Sequence, residues 1–181
     1  MGRQKDGVTI HAKLSGQKLN VPKIEQLCPI NTKLIFIMSV SEKLKAMRDA
    51  KSAENLATGL AFLTENGARP EVVSLESGLQ YEILVEGNGA KPGPKSSVTC
   101  HYHGTLIDGR VFDSSVKRGK PATFPLNRVI SGWTEALQLM PIGSKWRLYL
   151  PPHLAYGDQH VSAEIGPNST LIFEVELLGI D

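Results

Sequence analysis

Apolar and polar residues change their spacing twice along this chain, and each change marks a different kind of element. From Ser39 the spacing is helical. Ser39 and Glu42 stand three apart, as in a capping box. Leu44 and Met47 are three apart, and Leu56, Leu60 and Leu63 repeat by four and then three, which is one face of a helix. Asn66-Gly67 and Pro70 supply the stop. The spacing predicts one long helix over 41–66, with its apolar stripe either packed on the rest of the chain or turned to a second copy.

From Leu79 the spacing becomes two. Leu79, Tyr81, Ile83 and Val85 alternate with polar neighbours and read as a strand. A second strand runs from Ser97 to Leu106, with Val98, Cys100 and Tyr102 on one face. Asp108-Gly109 reads as a hairpin turn. Thr123–Leu126 reads as a short strand, Thr134–Met140 as a short helix, and Ser144–Leu150 and Thr170–Leu178 as the last strands. In the final one Leu171, Phe173, Val175 and Leu177 share a face, with Glu174 and Glu176 opposite. Many strands with one short helix predict an α+β fold: an antiparallel half-barrel sheet wrapped around that helix, preceded by the long one.

Residues 1–38 have neither period. Their apolar cluster, Leu34 to Met38, is too short for the core of a signal peptide. The stretch reads as an extension, flexible or arising from start-site choice, since Met38 could initiate. A helix and linker then occupy 39–70, and a compact domain 71–181. The 181 residues carry a net charge of +2. The first 40 hold six Lys/Arg against two Asp/Glu, so the basic bias sits at the amino end. Without interleaved aromatic residues this does not make a nucleic-acid surface. No apolar run approaches the ~20 residues that cross a bilayer. Cys28 and Cys100 form no credible disulfide.

Enzyme motifs that need a nucleophile, a metal or a phosphate loop do not occur. Gly87-Asn88-Gly89 joins two strands and reads as a turn rather than as part of a dinucleotide loop. His101 and His103 share a strand face without a third ligand at metal spacing. Asn168-Ser169-Thr170 is a glycosylation sequon, meaningful only in a secretory pathway. The aromatic residues are better placed: Tyr102, Phe112, Phe124, Trp133, Tyr156 and Phe173 stand at element ends and on apolar faces. Together they could line an apolar hollow with a few polar groups.

Cys100-His101-Tyr102-His103-Gly104-Thr105-Leu106, followed by Asp108-Gly109-x-Val111-Phe112-Asp113-Ser114-Ser115, resembles the FKBP family of immunophilin prolyl isomerases. So do Val129-Ile130-x-Gly132-Trp133, Ala155-Tyr156-Gly157 and the run Leu171–Leu178, in family order over about 76–181. Glu76-Ser77-Gly78-Leu79-Gln80-Tyr81 after a helix is similar to the macrophage infectivity potentiator (Mip) branch, whose members often dimerise through an amino-terminal module.

The resemblance implies an FKBP-type domain over 71–181 that isomerises Xaa-Pro bonds without cofactor or metal. It implies Trp133 as pocket floor, and Tyr102, Phe112, Val129, Ile130 and Phe173 as walls. Tyr156 and the Ile130 N–H would donate to substrate carbonyls, and Asp113 would polarise the pocket and order Tyr102. Ile165 would sit in a lid over Gly157–Ser169. Partners would be proline-containing peptide or protein segments, with macrolides of the rapamycin type in the same pocket and a homodimer through the 41–66 helix. A non-catalytic chaperone or peptide-binding module is the alternative. Ala122 stands where many members carry an aromatic wall, Val161 and Glu164 depart from the usual lid residues, and Gly166-Pro167 replaces a Pro-Pro pair. A pocket wider on one side, with a carboxylate near its rim, is therefore expected. The missing signal-peptide pattern points to the cytoplasm; secretion or surface exposure, as in some Mip-like proteins, is the alternative.

Overall fold

The computed structural model describes residues 29–181, with side chains from residue 39 onward. The extension expected over 1–38 lies outside the described residues as far as 28, and Cys28 with it. The sheet and helix α2 belong to one compact unit, 41–181.

Helix α1 spans Pro29–Gly67, so it starts well before the Ser39 expected from the capping-box spacing. Proline is tolerated in a helix's first turn, where its missing N–H leaves no bond unmade. A Ser and a Glu three apart are also ordinary neighbours on a helix surface, so the spacing alone cannot distinguish a start from an interior. The end is where Asn66-Gly67 put it. There the Asn66 side chain accepts from Arg69 (2.9 Å) and donates to Gln80 Oε1 (2.9 Å), while Gln80 Nε2 donates to the Leu63 carbonyl (2.9 Å).

Of the two fates open to the apolar stripe, packing on the rest of the chain is not the one observed. Leu44, Met47 and Leu60 are 62%, 61% and 55% exposed, Leu56 is exposed too, and of that stripe only Leu63 is buried. The residues that face the domain are Ser52, Asn55, Gly59, Phe62, Leu63 and Asn66, which repeat by three and four. Four of these six are polar or have no side chain, so a search for hydrophobic period passes over them.

Seven strands follow: β1 Val72–Ser74, β2 Gln80–Val85, β3 Ser97–Leu106, β4 Val111–Ser114, β5 Ala122–Pro125, β6 Lys145–Leu150 and β7 Leu171–Ile180. They form one antiparallel sheet in the order β1-β2-β6-β7-β3-β4, with β5 also paired to β3. Helix α2, Ser131–Leu139, buries Gly132, Trp133, Ala136 and Leu137. The last three join Val98, Cys100, Tyr102, Leu148, Phe173, Val175 and Leu177 in one apolar core. The alternation of β3 and β7 comes out as read. Burial fades from Leu79, just before β2 and in the core, to Ile83 and Val85 on β2, which are exposed. β1 and β4 are too short for alternation to reveal.

Gly87 and Gly89 have a packing reason. A Cβ on Gly87 would stand 2.5 Å from the Ile142 carbonyl oxygen and the Ser144 nitrogen, both backbone atoms. One on Gly89 would stand 2.6 Å from Ile142 Cβ. The Gly-x-Gly pair thus lets two loops touch, with Gly89 N–H donating to the Ile142 carbonyl at 3.1 Å.

Candidate active site

Trp133 opens helix α2, whose first turn is set by the Ile130 carbonyl accepting from the N–H groups of Trp133 (3.0 Å) and Thr134 (3.1 Å). This start aims the indole at the strands. Tyr102, Phe124 and Phe173 meet it nearly edge-on, with ring centroids at 5.4, 5.8 and 5.3 Å. Phe112 on β4 continues the series, 5.4 Å from Phe173. Edge-to-face pairs at these distances suit the ring quadrupoles and fix each ring against its neighbour. Trp133 Nε1 is buried and makes no hydrogen bond, so the indole contributes area rather than a polar contact.

Tyr102, Trp133, Ile165 and Phe173 are buried members of the core cluster. Phe112, Val129, Ile130 and Tyr156 are half-buried and pack against it. The structure thus brings all eight apolar and aromatic candidates onto one cluster. Phe124, which also meets the indole, belongs with them. Asp113 adjoins through Tyr102, whose hydroxyl donates to its Oδ2 at 2.5 Å.

One participant has no mark in the sequence. Arg118, in the turn after β4, pairs with Asp113 Oδ1 and donates to the Tyr102 hydroxyl at 2.8 Å. Its guanidinium also lies 5.5 Å from the centre of the Tyr102 ring. A lone arginine in a basic turn carries no spacing signal; β3 and β4 pair with His103 opposite Ser114, and that register brings the group close. His101 and His103 point instead to Ser115 Oγ (3.1 Å) and Ser114 Oγ (2.9 Å).

Burial works against ionisation of Asp113, but the Tyr102 hydroxyl and the Arg118 guanidinium outweigh it and hold the carboxyl below its ordinary range. Burial, and then the bond to Asp113, push the Tyr102 hydroxyl up. A depressed folded-state pKa stabilises the fold above the unfolded value of about 3.9, and that stability is lost as pH falls through the folded value. Asp113 and Arg118 are 42% and 51% exposed, so solvent screens the pair. Asp113→Asn is expected to cost only about 0.2–1 kcal/mol at pH 7, and the difference from the parent should shrink below pH ~4. Urea unfolding of both proteins from pH 2.5 to 7 checks this; a gap constant across that range would remove the ionic contribution.

Of the departures from the familiar pattern, Ala122 packs against the core cluster, while Val161 and Glu164 are exposed in the segment 157–169. Glu164 Oε2 accepts from Ser162 Oγ at 2.9 Å. Cys100 is a buried free thiol on β3, pushed up to about 12 by burial.

Comparison with known proteins gives a consistent result. The sequence model described as "FKBP-type peptidyl-prolyl cis-trans isomerase" matches residues 88–178. That described as "Domain amino terminal to FKBP-type peptidyl-prolyl isomerase" matches 4–83. "Outer membrane protein MIP" of Legionella longbeachae is 50% identical over 167 residues, 92% of this chain and 70% of that protein. "FKBP-type 22 kDa peptidyl-prolyl cis-trans isomerase" of Escherichia coli is 49% identical over 84% of this chain and 74% of its own length. The crystal structure of FkpA from Escherichia coli superposes with a TM-score of 0.80 at 39% identity, covering 84% of this chain and 71% of that one.

Proposed function

The chain belongs to the FKBP-type peptidyl-prolyl cis-trans isomerases and is an enzyme of that type, and from this premise we propose that the enclosure over the Trp133 indole is where it turns the Xaa-Pro bond. The observation that carries this reading is the ring of Tyr102, Phe124 and Phe173 around a tryptophan only 5% exposed, with Tyr156 packed on the same cluster.

The chemistry asks little of the protein. A peptide bond rotates over about 18–20 kcal/mol, and an Xaa-Pro bond takes tens to hundreds of seconds uncatalysed. The planar amide is charge-separated by resonance, and the twisted one is less so. A dry aromatic enclosure therefore disfavours the twisted amide less than the planar one, and the barrier falls. Trp133 takes the proline ring, and Tyr102, Phe112, Val129 and Phe173 close around it. The Ile130 N–H and the Tyr156 hydroxyl hold the flanking carbonyls, Ile165 bounds the lid side, and Asp113 steadies Tyr102.

A protease-coupled or magnetisation-exchange assay on Xaa-Pro peptides tests the site. A barrier lowered by ~6 kcal/mol corresponds to an acceleration on the order of 10⁴. Tyr156→Phe, which removes one donor, is expected to lower kcat/KM by about three- to tenfold. No acceleration by micromolar protein would end the catalytic reading, and a Tyr156→Phe rate equal to the parent's would move the carbonyl contact elsewhere.

A macrolide of the rapamycin type is proposed to share this pocket; failure of rapamycin to compete with peptide would exclude it. The exposed Leu44, Met47 and Leu60 support a homodimer through α1, tested by sedimentation of the full chain. The cytoplasmic expectation finds no support in the comparisons. Among the described residues no helix is long and apolar enough to cross a membrane, but the first relative above is named as an outer membrane protein. We infer an exported or surface location, and protection from protease added to intact cells would refute surface exposure.

A further inference from the structure

We propose that helix α1 sets the position of the lid over the substrate pocket, with Ser52 and Asn55 as positioning residues that grip the lid's neck. The inference rests on the isomerase reading above and adds to it residues that lie on a different element from every pocket group.

The lid leaves the domain at Gly157 and returns at Asn168. The Asn168 N–H donates to the Gly157 carbonyl at 2.7 Å and closes this neck. Both residues have left-handed backbone, φ 60° at Gly157 and 53° at Asn168, a conformation that glycine and asparagine tolerate best. The helix holds one side of the neck from outside. Asn168 Nδ2 donates to Ser52 Oγ at 2.8 Å, and Asn55 Nδ2 donates to the Pro167 carbonyl at 2.8 Å. One turn on, Gly59 lets the helix backbone approach Thr170, whose Oγ1 would stand 2.2 Å from a Cβ there. Ser52, Asn55 and Gly59 follow three- and four-residue spacing, so one helix face meets Asn168, Pro167 and Thr170 in the segment that leads into β7.

Both sides of the neck carry a pocket residue. Tyr156 immediately precedes Gly157. Ile165, two residues before Pro167, is 5% exposed and packs in the cluster that contains Trp133. Its N–H is held by Ser162 Oγ at 3.1 Å, and its carbonyl accepts from Val161 N at 3.1 Å. A cleft of about 800 Å³ runs alongside the neck, with Arg48, Lys51 and Asn55 on the helix side and His160, Glu164 and Pro167 on the lid side. The hydrogen-bonded neck therefore transmits the helix position to the lid, and through Ile165 and Tyr156 to the bound segment.

The test uses the full chain with Asn55→Ala and Asn55→Asp, each combined with Ser52→Ala. Asp keeps the shape of Asn but sets an acceptor against the Pro167 carbonyl, so a role in packing alone predicts parental behaviour for it. Alanine raises helix propensity, so an effect through helix stability predicts tighter behaviour, not looser. Losing these hydrogen bonds is expected to speed amide exchange at Ile165 and Asn168 and to raise KM, each by about three- to tenfold, with kcat held. Parental exchange at Ile165 and Asn168 in both variants would overturn the grip. Faster exchange with an unchanged KM would overturn the positioning role. Failure of the isomerase reading shows separately, as no turnover by the parent before any substitution is made.

Discussion

Trp133→Ala is expected to lower kcat/KM by about 10- to 100-fold, because burying an apolar ring is worth ~1.5–3 kcal/mol and the proline ring loses that surface. It is also expected to destabilise the fold by ~3–5 kcal/mol, the usual result of removing a buried tryptophan. The indole is 5% exposed and meets three aromatic edges, so its loss leaves a cavity that rigid neighbours cannot fill. The two effects are separated by Trp133→Phe. Nε1 makes no hydrogen bond, so phenylalanine forfeits area but no polar contact, and it should recover most of the stability and part of the rate. Urea unfolding with the peptide assay checks both. A Trp133→Ala protein that isomerises at the parental rate would place the reaction elsewhere.

Gly104→Ala is expected to strike the same site from the face of β3 that also carries Tyr102. Gly104 pairs with Phe173 across β3 and β7, and with Asp113 across β3 and β4. A Cβ there would stand 2.6 and 2.7 Å from Phe112 Cζ and Cε2, and 3.0 Å from Phe173 Cε1. The backbone suits alanine, so the fault is purely one of space. Overpacking of this kind costs ~1–3 kcal/mol. The displaced Phe112 ring should raise KM as well as lower stability. Gly109→Ala gives the contrast: nothing lies within 4 Å, but φ is 83°, so about 1–2 kcal/mol of backbone strain is expected with KM unchanged. If Gly104→Ala kept the parental KM, Phe112 would not be a wall of the pocket.

Much of the candidate site was legible because its residues sit where chain pattern and chemistry coincide. Tyr102 and Phe173 fall on the buried faces of β3 and β7, the two strands whose alternation is cleanest. Trp133 stands at the start of a helix marked by its apolar residues. Arg118 was not legible, since only the pairing of β3 with β4 brings it to Asp113 and Tyr102. The docking face of α1 was misread for a related reason. Leu44, Met47, Leu56 and Leu60 gave the helical period, yet Ser52, Asn55, Gly59 and Asn66 are the residues that meet the domain, with Phe62 and Leu63 between them.

Residue order by itself determined the longer strands, the short helix and the aromatic set, because burial on one face imposes a period that depends only on neighbours along the chain. Three-dimensional packing alone decided how the long helix meets the lid and why Gly87 and Gly104 must lack a side chain. Those contacts join segments distant in the chain through hydrogen bonds, ion pairs and close backbone approach. Such interactions depend on where two surfaces meet, and they impose no repeat on either segment.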